Sequence, residues 1–281
     1  MSTEATTPTR PVTLTKTTLP AMIVLGRREA RRILRSPIFV GIVAIFLLQV
    51  GLGMALTRSW PDGLTRDALY DFIGFVLLLY AGILTYAAAH LVTSSARRTG
   101  AEPVMASSPV DARSRGAALC LGVVLGPGLV TVALTLLMAL LGNSVTLDDG
   151  AAYSVAELVQ LPVIIVGGGL FGVLTATWLR FPGSLPVGLV VLVMGTITVG
   201  SAPQNADAGR PWFAPYSSAV NWTDNTWTLT GSQAWHATYL VGLCLLAVCG
   251  VLLRERDDRH RWTLASAGVL ALVALAGWAQ L

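Results

Sequence analysis

The chain has 281 residues, of which 54% are hydrophobic and 12% charged, and its formal net charge is +4. Soluble proteins carry about 25% charged residues. The low charge and a mean hydropathy of +0.67 exclude an ordinary soluble domain and predict a membrane protein.

The chain before the first long apolar segment is polar and then basic. Residues 1–20 are rich in Thr and Pro, so we expect a disordered cytoplasmic tail without a secretory signal. The stretch LGRREARRILRSPIFVG places arginines on one broad helical face and Ile23 and Leu34 on another. This pattern predicts an amphipathic helix in the membrane interface that Pro37 ends or redirects. A simple basic stop before a transmembrane helix is the alternative.

Seven apolar segments follow, each near the roughly 20 residues that a helix needs to cross a bilayer. They predict an all-α polytopic membrane protein, with an interfacial helix within residues 1–36 followed by six to seven transmembrane helices in residues 37–281. The fifth segment is short and contains Gly195 and Gly200, so a broken or re-entrant helix is the alternative there. The segments cover approximately residues 37–57, 68–93, 116–142, 157–179, 184–202, 234–253 and 262–281.

The basic residues indicate the orientation of these segments, because Lys and Arg are retained on the cytoplasmic side of short loops. With the N-terminus inside, sixteen of the nineteen basic residues fall in cytoplasmic segments. The three outer ones are Arg58, Arg66 and Arg210. We therefore expect a cytoplasmic N-terminus and an external C-terminus. The same rule accounts for the net positive charge, so we expect no nucleic-acid partner.

A basic cytoplasmic segment, residues 94–115, separates the second and third apolar segments. It contains RRTGAEPVMASSPVDARSR, which is long enough for a short helix beneath the membrane that docks another protein. A solvated basic loop is the alternative.

The external segment 203–233 is rich in tryptophan, with Trp212, Trp222 and Trp227 among its residues. Tryptophan favours the headgroup level, so this segment is expected to lie along the outer interface. It could act there as an external gate or only as an aromatic belt.

Several classes of function are excluded by missing residues. The only lysine, Lys16, lies in the polar tail, so neither a retinal attachment site nor a GxxxxGK[ST] nucleotide site can form. His90 and His236 map to opposite ends of the membrane and His260 to a loop, so one copy cannot hold a haem. No HExxH or GxSxG motif occurs. We predict no catalytic residue, no metal site and no cofactor in this chain.

The apolar segments contain two GxxxG motifs, Gly122–Gly126 and Gly168–Gly172. Such motifs allow close approach of helices, and a hinge is the alternative. Polar residues inside the segments are sparse, and they are candidates for a transport pathway because buried polar groups in a bilayer often face one. These weak candidates are Gln49, Thr85, Thr196 and Thr198.

The two basic segments together resemble those of the membrane permease subunits of type-2 ABC exporters, especially the small actinobacterial permeases. The elbow helix of such permeases typically ends in E-x-x-R-x-x-R-S-P, matched by Glu29, Arg32, Arg35, Ser36 and Pro37. Their loop between the second and third spans typically reads R-R, then G-T-x-E, then A-x-P-V, with arginines after it. The matching residues are Arg97, Arg98, Gly100, Glu102, Ala106, Pro109, Val110, Arg113 and Arg115.

The resemblance implies a role in ATP-driven export. In that family the loop is a coupling helix that enters a groove on a separate ATPase, which binds the ATP and Mg. The Trp-rich external region forms short re-entrant helices that close the exit. The resemblance also implies a bacterial plasma membrane location, surrounding lipids, and pairing with a second copy or a similar permease.

Two other functions fit the sequence. A proton-coupled carrier or channel would need titratable groups deep in the bundle, whereas the acids nearest the spans, Asp71 and Glu157, map to outer ends. A non-transport anchor that recruits a soluble partner through its basic loops would need no continuous pathway.

Overall fold

The computed structural model describes residues 19–56, 82–107, 110–143, 155–200, 220–223, 226–229, 232–254 and 259–279. These residues are helical apart from one short β-ribbon, which confirms the predicted helical fold. The elements in chain order are α1 (Leu19–Leu34), α2 (Pro37–Leu56), α3 (Ile83–Arg98), α4 (Glu102–Ala106), α5 (Ala112–Val123), a π-helical segment (Val124–Gly128), α6 (Leu129–Asn143), α7 (Val155–Trp178), α8 (Ser184–Gly200), β1 (Val220–Thr223), β2 (Thr226–Leu229), α9 (Gln233–Leu252) and α10 (Arg259–Ala279).

Four helical stretches within the described ranges are long and apolar enough to cross a membrane. They are Ala112–Leu137, Leu158–Trp178, Gln233–Leu252 and Arg259–Ala279. Their length and composition are those of a membrane-embedded protein. The count of six to seven spans stays a prediction, since residues 57–81 and 144–154 lie outside the described ranges.

A Ser-Pro step separates α1 from α2. The backbone N–H of Phe39 donates to Ser36 Oγ at 3.2 Å, so Ser36 caps the start of α2. Pro37 occupies the first helical position, where its missing N–H would have had no helical partner.

The stretch from α5 to α6 is interrupted by Pro127 within the π-helical segment. Proline removes a backbone donor and displaces the preceding turn, which accounts for the local widening. The Thr131 hydroxyl donates to the Pro127 carbonyl at 2.7 Å and satisfies an acceptor there.

Helix α7 lies at the centre of the bundle, packed between α3 and α9. Its approach to α3 depends on glycine: a Cβ at Gly168 would stand 2.5 Å from the Gly82 carbonyl oxygen. One at Gly172 would stand 3.2 Å from the His90 backbone nitrogen. The Gly168–Gly172 motif is therefore a packing contact between backbones.

Helix α1 packs against α5 through the other GxxxG motif. A Cβ at Gly122 would lie 3.1 Å from the Ala30 nitrogen, and one at Gly126 would lie 3.2 Å from the Ala30 oxygen. Ile33, also on α1, is buried in the main core with residues of α3, α5, α7 and α9. Helix α1 is thus part of the packed bundle.

Helix α10 lies at the edge of the bundle and packs on α9. Its buried residues are Val273, Ala276 and Gly277, and Val273 fills the space beside Gly242. Most of its remaining side chains are exposed. Helix α10 is therefore peripheral to the described bundle.

The Trp-rich segment contains a feature that the sequence analysis did not predict. Strands β1 and β2 pair antiparallel, with Val220 opposite Leu229 and Trp222 opposite Trp227. The resemblance implied re-entrant helices here, and for residues 220–223 and 226–229 the structure has strands instead. Valine, threonine and tryptophan, which favour strands, occupy six of these eight positions.

Candidate functional site

Two of the predicted elbow-helix residues, Glu29 and Arg32, take part in a contact between α1 and α3. Arg32 Nη1 lies 2.9 Å from Glu29 Oε2 in an ion pair one turn apart. Arg32 Nη2 donates to Ser95 Oγ at 2.8 Å, and the Ser95 hydroxyl donates to the Val92 carbonyl at 2.7 Å. Arg32 therefore joins the end of α1 to the last turns of α3. Arg35, the third predicted residue, is exposed just after α1.

Only part of the predicted coupling segment, residues 94–115, lies outside the long helices. Arg97 and Arg98 lie in the last turn of α3, and Arg113 and Arg115 in the first turn of α5. The chain reverses at Gly100, whose φ of 70° favours glycine. It then forms the five-residue helix α4, which begins at Glu102.

Side chains of this segment make hydrogen bonds at both of its ends. Arg98 Nη2 donates to the Leu91 carbonyl at 2.6 Å near the C-terminal end of α3. Asp111 accepts the Ser114 backbone N–H at 3.3 Å and caps the start of α5. The predicted site residue Pro109 lies outside the described residues.

Glu102 pairs within the chain. Its Oε1 lies 3.5 Å from Arg180 Nη1, and both side chains are about half exposed, at 51% and 54%. Arg180 belongs to the turn between α7 and α8. The pair thus connects α4 to a second helical hairpin. An exposed ion pair of this kind contributes about 0.2–1 kcal/mol, so a partner could replace it at low cost.

The same end of the bundle is closed by contacts between α7 and α9. The indole N–H of Trp178 donates to the Gly250 carbonyl at 2.9 Å, and Arg254 donates to the Thr177 carbonyl. We call this end, which carries the C-terminal ends of α3, α7 and α9, the basic end. It contains α4, Arg180 and the Arg32–Ser95 contact.

A buried polar cluster lies inside the bundle behind these contacts. The Tyr86 hydroxyl donates to the Leu185 carbonyl at 3.1 Å and accepts from the Thr175 hydroxyl at 3.2 Å. His90 Nε2 and Ser184 Oγ are 3.1 Å apart and share a hydrogen bond. Tyr86 and His90, one turn apart on α3, therefore fasten that helix to α7 and to the start of α8.

Among the described residues, two atoms near this cluster are buried without a hydrogen-bond partner: Thr85 Oγ1 and His90 Nδ1. Buried polar groups without partners are rare and costly. Thr85 was a predicted pathway residue, and its side chain is fully buried against Gly169 of α7. Its side chain therefore lies in the contact between α3 and α7. The other pathway candidates, Gln49, Thr196 and Thr198, lie on α2 and α8, but their side chains fall outside the described part.

The His90–Ser184 pair does not form a hydrolytic site in this arrangement. Ser184 is 1% exposed, and His90 Nδ1 has no described partner that would orient the ring. The described residues also contain no group of three His, Cys, Asp or Glu side chains that could hold a metal ion. The geometry of the cluster supports a structural role, which is to hold α3 against α7 and the start of α8.

Sequence reasoning missed Tyr86, Thr175 and Ser184. Tyr86 and His90 stand four residues apart within an apolar segment, and that spacing places two polar groups on one helix face. Their partners come from residues about 90 positions away. Only the tertiary contact of α3 with α7 and α8 could identify them.

Two of the three predicted gate residues lie in the β-ribbon. Trp222 and Trp227 are backbone partners across the β-ribbon. Trp212 lies outside the described residues. The external gate stays a prediction.

No family model, no curated protein and no solved structure matches this chain.

Proposed function

We propose that the chain is the membrane permease subunit of an ATP-driven ABC exporter in a bacterial plasma membrane. The observation that carries this proposal is the short helix α4 at the basic end. It follows directly from α3 and is connected by Glu102 to Arg180 between α7 and α8. A helix placed in this way could transmit a push from a soluble ATPase to two membrane hairpins.

The contacts behind α4 support a mechanical route into the membrane. Displacement of α4 would act on α3, because only a short turn around Gly100 separates them. Helix α3 would carry α8 with it through the His90–Ser184 and Tyr86–Leu185 hydrogen bonds. It would also move the end of α1 through Arg32 and Ser95. Packed helices that shift as units are a common means of switching access.

The remaining features of the proposal come from the resemblance to the permease family and from the predicted orientation. Helix α1 would be the interfacial elbow helix, followed by six to seven spans with a cytoplasmic N-terminus. Two such permeases, identical or similar, would enclose the pathway. ATP and Mg would bind to the ATPase subunits, and the sparse polar residues of the spans favour a hydrophobic or amphipathic cargo.

The test begins with a search for an ABC ATPase gene beside this one. Its product is co-expressed with the chain, and the two are reconstituted in proteoliposomes. We expect a stable complex whose ATP hydrolysis falls when Arg98→Glu and Arg113→Glu are combined, because the basic end would then repel an acidic groove. Arg66→Glu, predicted to lie outside, is the matched control. Wild-type assembly and hydrolysis in the double variant, with unchanged thermal unfolding, would contradict the coupling role.

One observation favours a second candidate, a proton-coupled carrier. His90 is a titratable side chain buried at 3% exposure, with one ring nitrogen lacking a described partner. Such groups inside membrane bundles often carry protons. Export that persists with an inactivated ATPase, but stops when an uncoupler collapses the proton gradient, would favour the carrier over the exporter.

A further inference from the structure

Four arginines of the first helical region have no partner in the described structure. Arg27, Arg28, Arg31 and Arg35 are all exposed, and none makes a side-chain hydrogen bond or ion pair within the described ranges. The fifth arginine, Arg32, differs because it is held by Glu29 and Ser95. The unpartnered charges are therefore a separate surface, which we call the arginine face.

The arginine face points away from the bundle. At 100° per residue, its four positions fall within about 100° of the helix circumference. The buried residues of α1, namely Gly26, Ala30 and Ile33, are centred about 150° away on the side that packs against α5. Like charges at i,i+4 spacing, such as Arg27 with Arg31, repel each other and destabilise a helix that has no counter-charge. An anion bound from outside the chain would offset this repulsion.

The position of α1 along the bundle identifies the level at which that anion lies. Gly26 contacts Leu121, and Ala30 contacts Gly122, both within the apolar stretch Ala112–Leu137. Gly122 is seven residues beyond Arg115, which is about 10 Å along the helix. Arg35 stands two residues before α2, itself a 20-residue apolar helix. Arg32 is held by Ser95 in the last turns of α3, and Arg35 lies just before α2. The C-terminal end of the arginine face therefore lies where the apolar helices begin, which is the level of lipid headgroups.

The same helix also exposes apolar side chains. Leu19 is 70% exposed and Val24 is 65% exposed, and both precede the first arginine of the face. Exposed apolar side chains suit contact with lipid acyl chains, and the arginines that follow them can bind headgroup phosphates.

We propose that Arg27, Arg28, Arg31 and Arg35 form a binding surface for anionic phospholipid headgroups. The guanidinium groups donate to phosphate oxygens, and the lipid neutralises the repulsion between neighbouring arginines. The proposal does not depend on the ATPase partner. It predicts that the isolated chain prefers phosphatidylglycerol to phosphatidylcholine of the same acyl chains.

The experiment titrates the detergent-solubilised full chain with each lipid and measures bound lipid by native mass spectrometry. Each arginine near an anionic headgroup contributes about 1 kcal/mol, or about five-fold in affinity. The double variant Arg27→Gln/Arg31→Gln should therefore lose roughly 30-fold in affinity for phosphatidylglycerol and keep its affinity for phosphatidylcholine. Arg27→Lys/Arg31→Lys, which keeps the charge, should retain most of the binding.

The matched control is Arg259→Gln/Arg261→Gln, which removes two exposed arginines at the start of α10. An equal loss in this control would show a general charge effect and overturn the assignment to α1. Unchanged phosphatidylglycerol affinity in Arg27→Gln/Arg31→Gln would also overturn it. If that variant keeps its lipid affinity but loses a co-purified ATPase, the arginine face docks protein and the lipid proposal is wrong. Exporter function is measured separately, so either proposal can fail alone.

Discussion

At the scale of single residues, Glu102 of the coupling motif has a partner within the chain itself. Its place in the coupling pattern predicted a contact with an ATPase, and the structure pairs it with Arg180, 78 positions later in the chain. Arg180 counted only as one more cytoplasmic charge in the sequence. The pairing depends on the turn between α7 and α8 reaching α4, which no local pattern could indicate.

This pair predicts a charge-reversal phenotype. In the proposed permease–ATPase complex, Glu102→Arg should lower the ATP hydrolysis rate, because it places like charges together and separates α4 from the α7–α8 turn. The exposed pair itself is worth only about 0.2–1 kcal/mol, so Glu102→Gln should have a small effect. Combining Glu102→Arg with Arg180→Glu should restore the rate. A double variant as defective as Glu102→Arg would mean that Glu102 acts on the partner.

At the scale of elements, small residues decide which helices lie together. Both GxxxG motifs were predicted to be packing sites, and both are: Gly122 and Gly126 meet α1, and Gly168 and Gly172 meet α3. The sequence could not identify these partners, because a small-residue surface fits many helices. The contact of Gly168 and Gly172 with α3 places that helix against α7, where Tyr86 meets Thr175.

The close approach at Gly172 predicts a strong stability effect. Gly172→Leu should lower the thermal unfolding temperature of the detergent-solubilised chain, because the new side chain would meet the backbone of Tyr86 and His90. Overpacking of this kind costs about 1–3 kcal/mol. Gly268→Leu on α10 is the matched control, since nothing lies within 4 Å of a Cβ there. Equal unfolding temperatures for the two variants would refute this packing.

At the scale of the whole molecule, the described helices form a core with one peripheral helix. Ile33, Cys120, Leu170 and Cys244 belong to α1, α5, α7 and α9 and share one buried cluster. Helix α10 contributes to a smaller cluster with α9 and α7. The molecule can therefore be described as a central bundle to which α10 is attached at one side.

Orientation is the whole-molecule property most open to a direct test. A reporter fused after Leu281 should be external, and one inserted between Arg254 and Arg261 should be cytoplasmic, because basic residues are retained inside. Protease protection or a periplasm-dependent enzyme reporter measures both. A cytoplasmic C-terminus would refute the seven-span arrangement while leaving the coupling surface in place.

The sequence alone determined the membrane class, the helical fold and the place of the break at Ser36-Pro37. These follow from apolar length, charge density and proline chemistry, all of which act locally. Only the tertiary structure decided that Glu102 pairs with Arg180, that Arg32 reaches Ser95 and that His90 meets Ser184. Each of these contacts joins residues more than 60 positions apart. Their geometry depends on how the helices pack, and a sequence pattern fixes which face of a helix is small or polar without fixing the neighbour that covers it.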